Sequence, residues 1–248
     1  MKVLLMADQY VGMEITKWLL SEHRRDIVLV VTTSDNEILN LAKNFEVNHL
    51  VFHSFNQVES FIKNLGIEVD IGILAWWPKI VKQPLLSLPK HGFINTHPSF
   101  LPYNRGKHPN FWALVEQCPF GVSLHFITEG IDDGDILAQV HIPYTWEDNG
   151  ESLYEKAKSA MIELFKSSYI DIKKLTFNRK KQDLGIGSFH FANEIDKVSQ
   201  INLDGVYKAR DLLNLLRART FPSLPACWFR DGSDEYEVRI EIKRRRLS

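Results

Sequence analysis

Short apolar runs alternate with helical patterns through the first half of the chain. Val3–Ala7 and residues 27–33, 49–53 and 71–77 each read as a buried strand. Between the first two, Val11, Ile15, Trp18 and Leu19 fall on one helical face. Phe61, Ile62 and Leu65 do the same before the fourth. Strand and helix in alternation predict an α/β fold, a Rossmann-like and mostly parallel sheet with helices on both faces. Phe93–His97 and residues 122–127 and 136–143 continue the sheet. A helix over about 150–173 follows, with Leu153, Ala157, Met161, Leu164 and Phe165 as its core stripe.

The pattern changes after Leu175. Arg179-Lys180-Lys181 and a polar stretch with Gly185 and Gly187 predict a linker over 177–202. It would divide a domain of residues 1–176 from a segment of residues 203–248. In that segment residues 203–216 read as a helix, with Val206, Leu212, Leu213 and Leu216 apolar. Asp231-Gly232 has turn chemistry, and Tyr236, Val238, Ile240 and Ile242 alternate with charged residues, so 226–243 is expected as a β-hairpin. A lone hairpin is marginal in water, and its apolar face needs cover from the neighbouring helix or from a second subunit.

A chain of 248 residues with 44% hydrophobic and 25% charged residues is long enough for a substantial core. A net charge of -1 speaks against a dedicated nucleic-acid binder, and Lys243-Arg244-Arg245-Arg246 reads as a solvated tail. Cys118 and Cys227 make no disulfide framework and fit a reducing compartment. Asp8 interrupts the amino-terminal apolar run too early for a signal peptide, and no stretch is long enough to span a membrane. A cytoplasmic location is expected. The first strand–helix turn, Ala7 to Gly12, lacks G-x-G-x-x-G, so Gly12 is read as a close-packing residue. His91, His97, His108 and His125 show no zinc-ligand spacing, and no metal is expected.

The chemistry concentrates in Ile94-Asn95-Thr96-His97-Pro98-Ser99-Phe100-Leu101-Pro102 and Asp132-Asp133-Gly134-Asp135-Ile136. Asn95 and His97, two apart on a strand, point the same way, and Pro98 ends the strand. They would therefore sit at a strand's carboxyl end, where open α/β sheets form clefts. Asn95 and His97 can donate to an oxygen that gains charge, and Asp132 can take a proton from an attacking amine. In isolation each has a plainer reading as a turn former or a structural histidine; the combination favours catalysis.

These segments, with Arg105-Gly106 and Gly121-Val122-Ser123-Leu124-His125, resemble the folate-dependent formyltransferase family. The resemblance runs from about Leu74 to Leu164. It implies N10-formyltetrahydrofolate as co-substrate and Asn95, His97 and Asp132 as the catalytic three. It places the pterin near residues 75–80 and 128–134, which contain Trp77, Pro78, Ile80 and Gly130. Of Trp76 and Trp77, one is expected in the core and the other at the ligand. The segment from Arg210 to Pro222 is similar to nucleotide-sugar N-formyltransferases of surface-polysaccharide and O-antigen synthesis. That implies an amino-dideoxy sugar as acceptor, dTDP-linked rather than GDP- or UDP-linked. Lys79, Arg105, Arg219 and Phe221 are the candidate sugar-nucleotide contacts, and pairing into a homodimer through the carboxy-terminal segment is implied as well. A glycinamide ribonucleotide-type transformylase and an inert nucleotide-binding scaffold are the alternatives.

Overall fold

Strand β1 (Val3–Ala7) is apolar and buried along its whole length, so both of its faces are covered. The structure, a computed structural model, describes residues 1–245; Arg246 of the basic tail lies outside them. After β1 come α1 (Gln9–Glu22), β2 (Ile27–Thr32), α2 (Glu37–Asn44), β3 (His49–Val51), α3 (Phe55–Asn64), β4 (Ile71–Ala75) and β5 (Phe93–His97). The middle supplies β6 (Arg105–Gly106), α4 (Pro109–Glu116), β7 (Gly121–Phe126), β8 (Ile136–His141) and α5 (Gly150–Lys174). The last are β9 (Phe189–His190), α6 (Glu194–Val198), α7 (Ala209–Ala218), β10 (Cys227–Asp231) and β11 (Asp234–Val238).

Seven strands form one sheet in the order β3-β2-β1-β4-β5-β7-β8. β1 runs parallel to β2 and β4, β2 to β3, and β4 to β5, whereas β7 is antiparallel to β5. This is the mostly parallel α/β sheet that the alternating pattern implies. The chain forms two compact units. One comprises Met1–His97, Ser123–Ala138 and Met161–Gln182; the other comprises Pro98–Val122, Gln139–Ala160 and Asp183–Ser248.

In the first unit Leu4, Met6, Leu29, Val31, Leu74 and Phe93 build a core with Val58 and Ile62 of α3. Leu65, expected on that helical face, lies past the end of α3 and is exposed. Gly12 packs where backbones approach: a Cβ there would stand 2.7 Å from the Ala75 carbonyl oxygen. β4 stops at Ala75, short of the expected Trp77, because Trp76 turns to a φ of 55° and leaves the strand. The start of the expected linker is not free chain. Lys180 N and O exchange hydrogen bonds with Ile136 O and N at 2.9 and 2.8 Å, so this segment adds a bridge beside β8.

The rest of that linker carries β9 and α6 in the second unit. β9 pairs in parallel with β6, and Trp112 of α4 stacks on His190 with centroids 3.7 Å apart. Both ring nitrogens of His190 face carboxylates, Glu116 at 2.7 Å and Glu194 at 3.0 Å. α7 begins at Ala209 rather than at 203, because Asn202–Gly205 closes a turn and leaves Val206 fully exposed. β10 and β11 form the expected hairpin, turning at Gly232 with φ of 61°. It ends at Val238 rather than at 243: Ile240 N donates instead to Thr220 Oγ1 (3.2 Å), which draws the chain off the ladder.

Arg217 of α7 is buried, and its Nε and Nη1 donate to Asn214 Oδ1, Thr145 O and Asp148 O at 2.6–2.9 Å. Hydrogen bonds from a charged donor are worth about 1.5–3 kcal/mol each, which offsets much of the cost of desolvating the guanidinium.

Candidate active site

β5 alternates sides, so Asn95 and His97 share one face while Thr96 takes the other. Thr96 Oγ1 donates to Leu74 O (3.1 Å) and accepts from Trp76 N (2.8 Å), tying β5 to the end of β4. On the face with Asn95, the antiparallel register sets His125 of β7 directly opposite. Asn95 Nδ2 lies 3.1 Å from His125 Nε2, and His125 Nδ1 lies 2.9 Å from Phe126 O. A carbonyl can only accept, so Nδ1 carries the proton and the Nε2 of the neutral ring accepts from Asn95. His125 is fully buried and His97 nearly so.

Asp132 completes the group from the loop between β7 and β8. Its Oδ2 is 3.5 Å from His97 Nδ1 and its Oδ1 is 3.5 Å from His125 Nε2. The loop holds Asp132 at φ of 51°, a conformation that needs support in a residue other than glycine. Gln182 supplies it: Nε2 donates to Asp132 O (2.9 Å) and Gly134 O (2.6 Å). Within the loop Thr128 Oγ1 donates to Asp133 Oδ1 and accepts from Gly130 N. A side chain at Gly130 would collide with the Asp133 carboxylate, and one at Gly134 with the Phe126 carbonyl.

Asn95, His97 and Asp132 are thus brought together, with His125 as a fourth member. In the sequence His125 stands out only as the end of the Gly121–His125 motif; its membership of the site comes from its register opposite Asn95. Gln182 had no signal, since its partners are some fifty residues away.

The loop after β4 corrects one expectation. Trp77 is 8% exposed and packs edge-on against Phe52 in the core, so it is not the residue offered to a ligand. Trp76 is half-buried instead, and Pro78, Lys79 and Ile80 are exposed beyond it. Lys79 Nζ stands 5.8 Å over the Phe52 ring.

Arg105, Arg219 and Phe221 belong to the second unit. Arg219 is buried and its Nη2 bonds Asp196 Oδ1 at 2.7 Å, an internal tie rather than a cation presented to a ligand. Phe221 packs against Tyr154, and Arg105 sits half-buried on β6. Among the described residues no group of three or more His, Cys, Asp or Glu could hold a metal ion, and no helix is long and apolar enough to cross a membrane.

A primary amide, an imidazole and a carboxylate converging at a strand end can polarise a carbonyl and collect a proton. The chain belongs to the formyl transferase family, which it matches over residues 3–167. Residues 194–244 match a second family, the N-formyltransferase dimerization C-terminal domain.

A methionyl-tRNA formyltransferase from Thermodesulfovibrio yellowstonii is 35% identical over 167 residues, 66% of this chain and 52% of that protein. The chain spans about half the length of the curated relatives it matches. Among solved structures, a Mycobacterium tuberculosis protein regarded as a sugar N-formyltransferase superposes over 99% of both chains, with a TM-score of 0.83 and 20% identity. An N-formyltransferase from Helicobacter canadensis, solved with folinic acid and dTDP-3-aminofucose, matches 90% of this chain and 81% of its own. Its TM-score is 0.70 and its identity 21%. At these identities the structural likeness establishes the shared fold.

Proposed function

We propose that the protein transfers a formyl group from N10-formyltetrahydrofolate to the amine of a nucleotide-linked amino-dideoxy sugar, dTDP-linked in the first instance. The observation that carries this reading is the convergence of Asn95, His97, His125 and Asp132 at the ends of β5 and β7. The folate supplies an activated formyl group. As the amine adds to it, the formyl oxygen gains negative charge, and Asn95 and His97 stabilise that charge through N–H groups. One preorganised donor of this kind is worth about 3–4 kcal/mol of barrier. Asp132 accepts the proton released by the amine and favours the charged form of His97. His125 orients the Asn95 amide.

The residues on the two flanking loops fit a folate. Trp76 is half-buried, and Pro78 and Ile80 expose apolar surface. Gly130 keeps the Asp132 loop free of a side chain that would displace Asp133. The sugar acceptor is favoured over methionyl-tRNA by three observations: near-complete coverage of the Mycobacterium chain, the carboxy-terminal match at 194–244, and a net charge of -1. In this reading residues 1–176 hold the catalytic groups, the exposed Lys79 meets the diphosphate, and the segment 203–248 pairs two copies. The product would enter surface-polysaccharide synthesis.

The test is release of tetrahydrofolate from N10-formyltetrahydrofolate in the presence of dTDP-, GDP- and UDP-linked amino sugars. Turnover that requires one of them supports the reading. Turnover only with glycinamide ribonucleotide or methionyl-tRNA removes the acceptor, and none with any amine leaves a nucleotide-binding scaffold.

A further inference from the structure

Trp146, in the second unit, has two guanidinium groups over its ring: Arg217 Cζ at 4.6 Å and Arg210 Cζ at 5.1 Å from the centroid. With Gln117, Tyr144 and Asn214 these side chains line a cavity of about 170 Å³, room for a small molecule or ion. Asn214 is 1% exposed, and its Oδ1 accepts from Arg217 Nε at 2.9 Å. That bond fixes the amide, because exchanging its O and N would set two donors against each other. Asn214 Nδ2 is left as a buried donor with no partner among the described residues.

The charges point the same way. Arg217 is 4% exposed, and among the described residues its hydrogen bonds all go to uncharged oxygens, from Nε and Nη1. Neighbouring carboxylates are engaged elsewhere: Asp148 with Lys156 Nζ at 2.6 Å, and Asp211 toward Gln117 Nε2 at 3.5 Å. A buried guanidinium with no carboxylate hydrogen-bonded to it, beside a buried amide donor without an acceptor, leaves room for a further negatively charged oxygen.

We propose that this cavity is a binding site for a small oxyanion, a carboxylate or phosphate group, held by Asn214 Nδ2 and the guanidinium groups of Arg210 and Arg217. Trp146 keeps both cations in place through its ring face. Nothing in the proposed formyl transfer uses these residues.

Isothermal titration calorimetry of the full chain with sodium phosphate and, separately, with sodium acetate tests it. Saturable binding of either supports the site, and the ion that binds identifies which oxyanion it takes. Asn214→Asp keeps the acceptor for Arg217 while replacing the unpaired donor by a negative charge. Arg210→Ala removes an exposed cation that makes no other bond among the described residues. Each should weaken binding tenfold or more, Arg210→Ala with an unchanged thermal midpoint. No saturable heat with either ion overturns the proposal, as it must if a second copy of the chain covers the cavity. Equal affinity in wild type and both variants overturns it too, since the ion is then bound elsewhere.

Discussion

Asn95 Nδ2 lies 3.1 Å from His125 Nε2, between register partners on antiparallel strands. Because His125 Nδ1 is committed to Phe126 O, the amide of Asn95 is oriented by a fully buried ring that is itself held by the backbone. A donor fixed in this way needs no reorganisation when charge develops on a substrate oxygen.

Asn95→Ala, His97→Asn and Asp132→Asn should each lower turnover by about 10²-fold or more while leaving the thermal midpoint unchanged. His125→Leu should lower it about tenfold, the cost of one misdirected hydrogen bond. Combined with Asn95→Ala, it should add little, because the two residues share one interaction. Full additivity in that cycle would separate them. Turnover should also fall toward acid, where amine and Asp132 are protonated; a flat profile from about pH 5 to about pH 8 contradicts the assigned roles.

Gln182→Ala removes both side-chain bonds that hold the backbone around Asp132. At about 1 kcal/mol for each bond, turnover should drop roughly tenfold. Gln182→Glu cannot donate to the two carbonyls and should behave like the alanine variant. Wild-type turnover in both would show that the loop holds its shape unaided.

Arg217→Ala strands two carbonyls and the Asn214 amide. Chemical denaturation should show a loss of about 3 kcal/mol, the range seen when a buried hydrogen-bonded group is removed. A loss below about 1 kcal/mol would mean that water replaces the guanidinium without penalty.

Burial raises the thiol of Cys227 to about 12. Burial, reinforced by the Glu116 carboxylate, raises that of Cys118 to about 11. An unfolded thiol titrates near about 8.5. Above that value the folded chain keeps protons that the unfolded chain has released, so stability should fall as pH rises from about 9. Urea midpoints at pH 7 and pH 10 measure the drop, and Cys227→Ala should reduce it. Alkylation of Cys227 in the native chain at pH 8 should be at least tenfold slower than in urea; equal rates would contradict its burial.

Leu203, Val206, Tyr207 and Leu213 leave apolar surface exposed in the carboxy-terminal segment proposed to pair two copies. Sedimentation at micromolar concentration should show a dimer, and Val206→Glu with Leu213→Glu should give monomers. A monomeric wild type would remove the pairing.

Much of the fold is legible in the chain because periodicity is a local property. Strands β1, β2 and β5, and the stripe on α5, follow from residues a few positions apart. Asn95 and His97 were legible for the same reason, since alternation along one strand decides that they share a face. Asp132 became legible only through a motif, and its 3.5 Å approach to two imidazoles required the loop to be folded. What the tertiary structure alone decided depends on partners distant in sequence. Trp77 rather than Trp76 went to the core because the chain turned at Trp76. Arg219 closed on Asp196, Ile240 left the ladder for Thr220, and the supposed linker at Lys180 paired with Ile136. In each case a hydrogen-bonding group found its partner across a closed loop, and no local pattern encodes which partner that is.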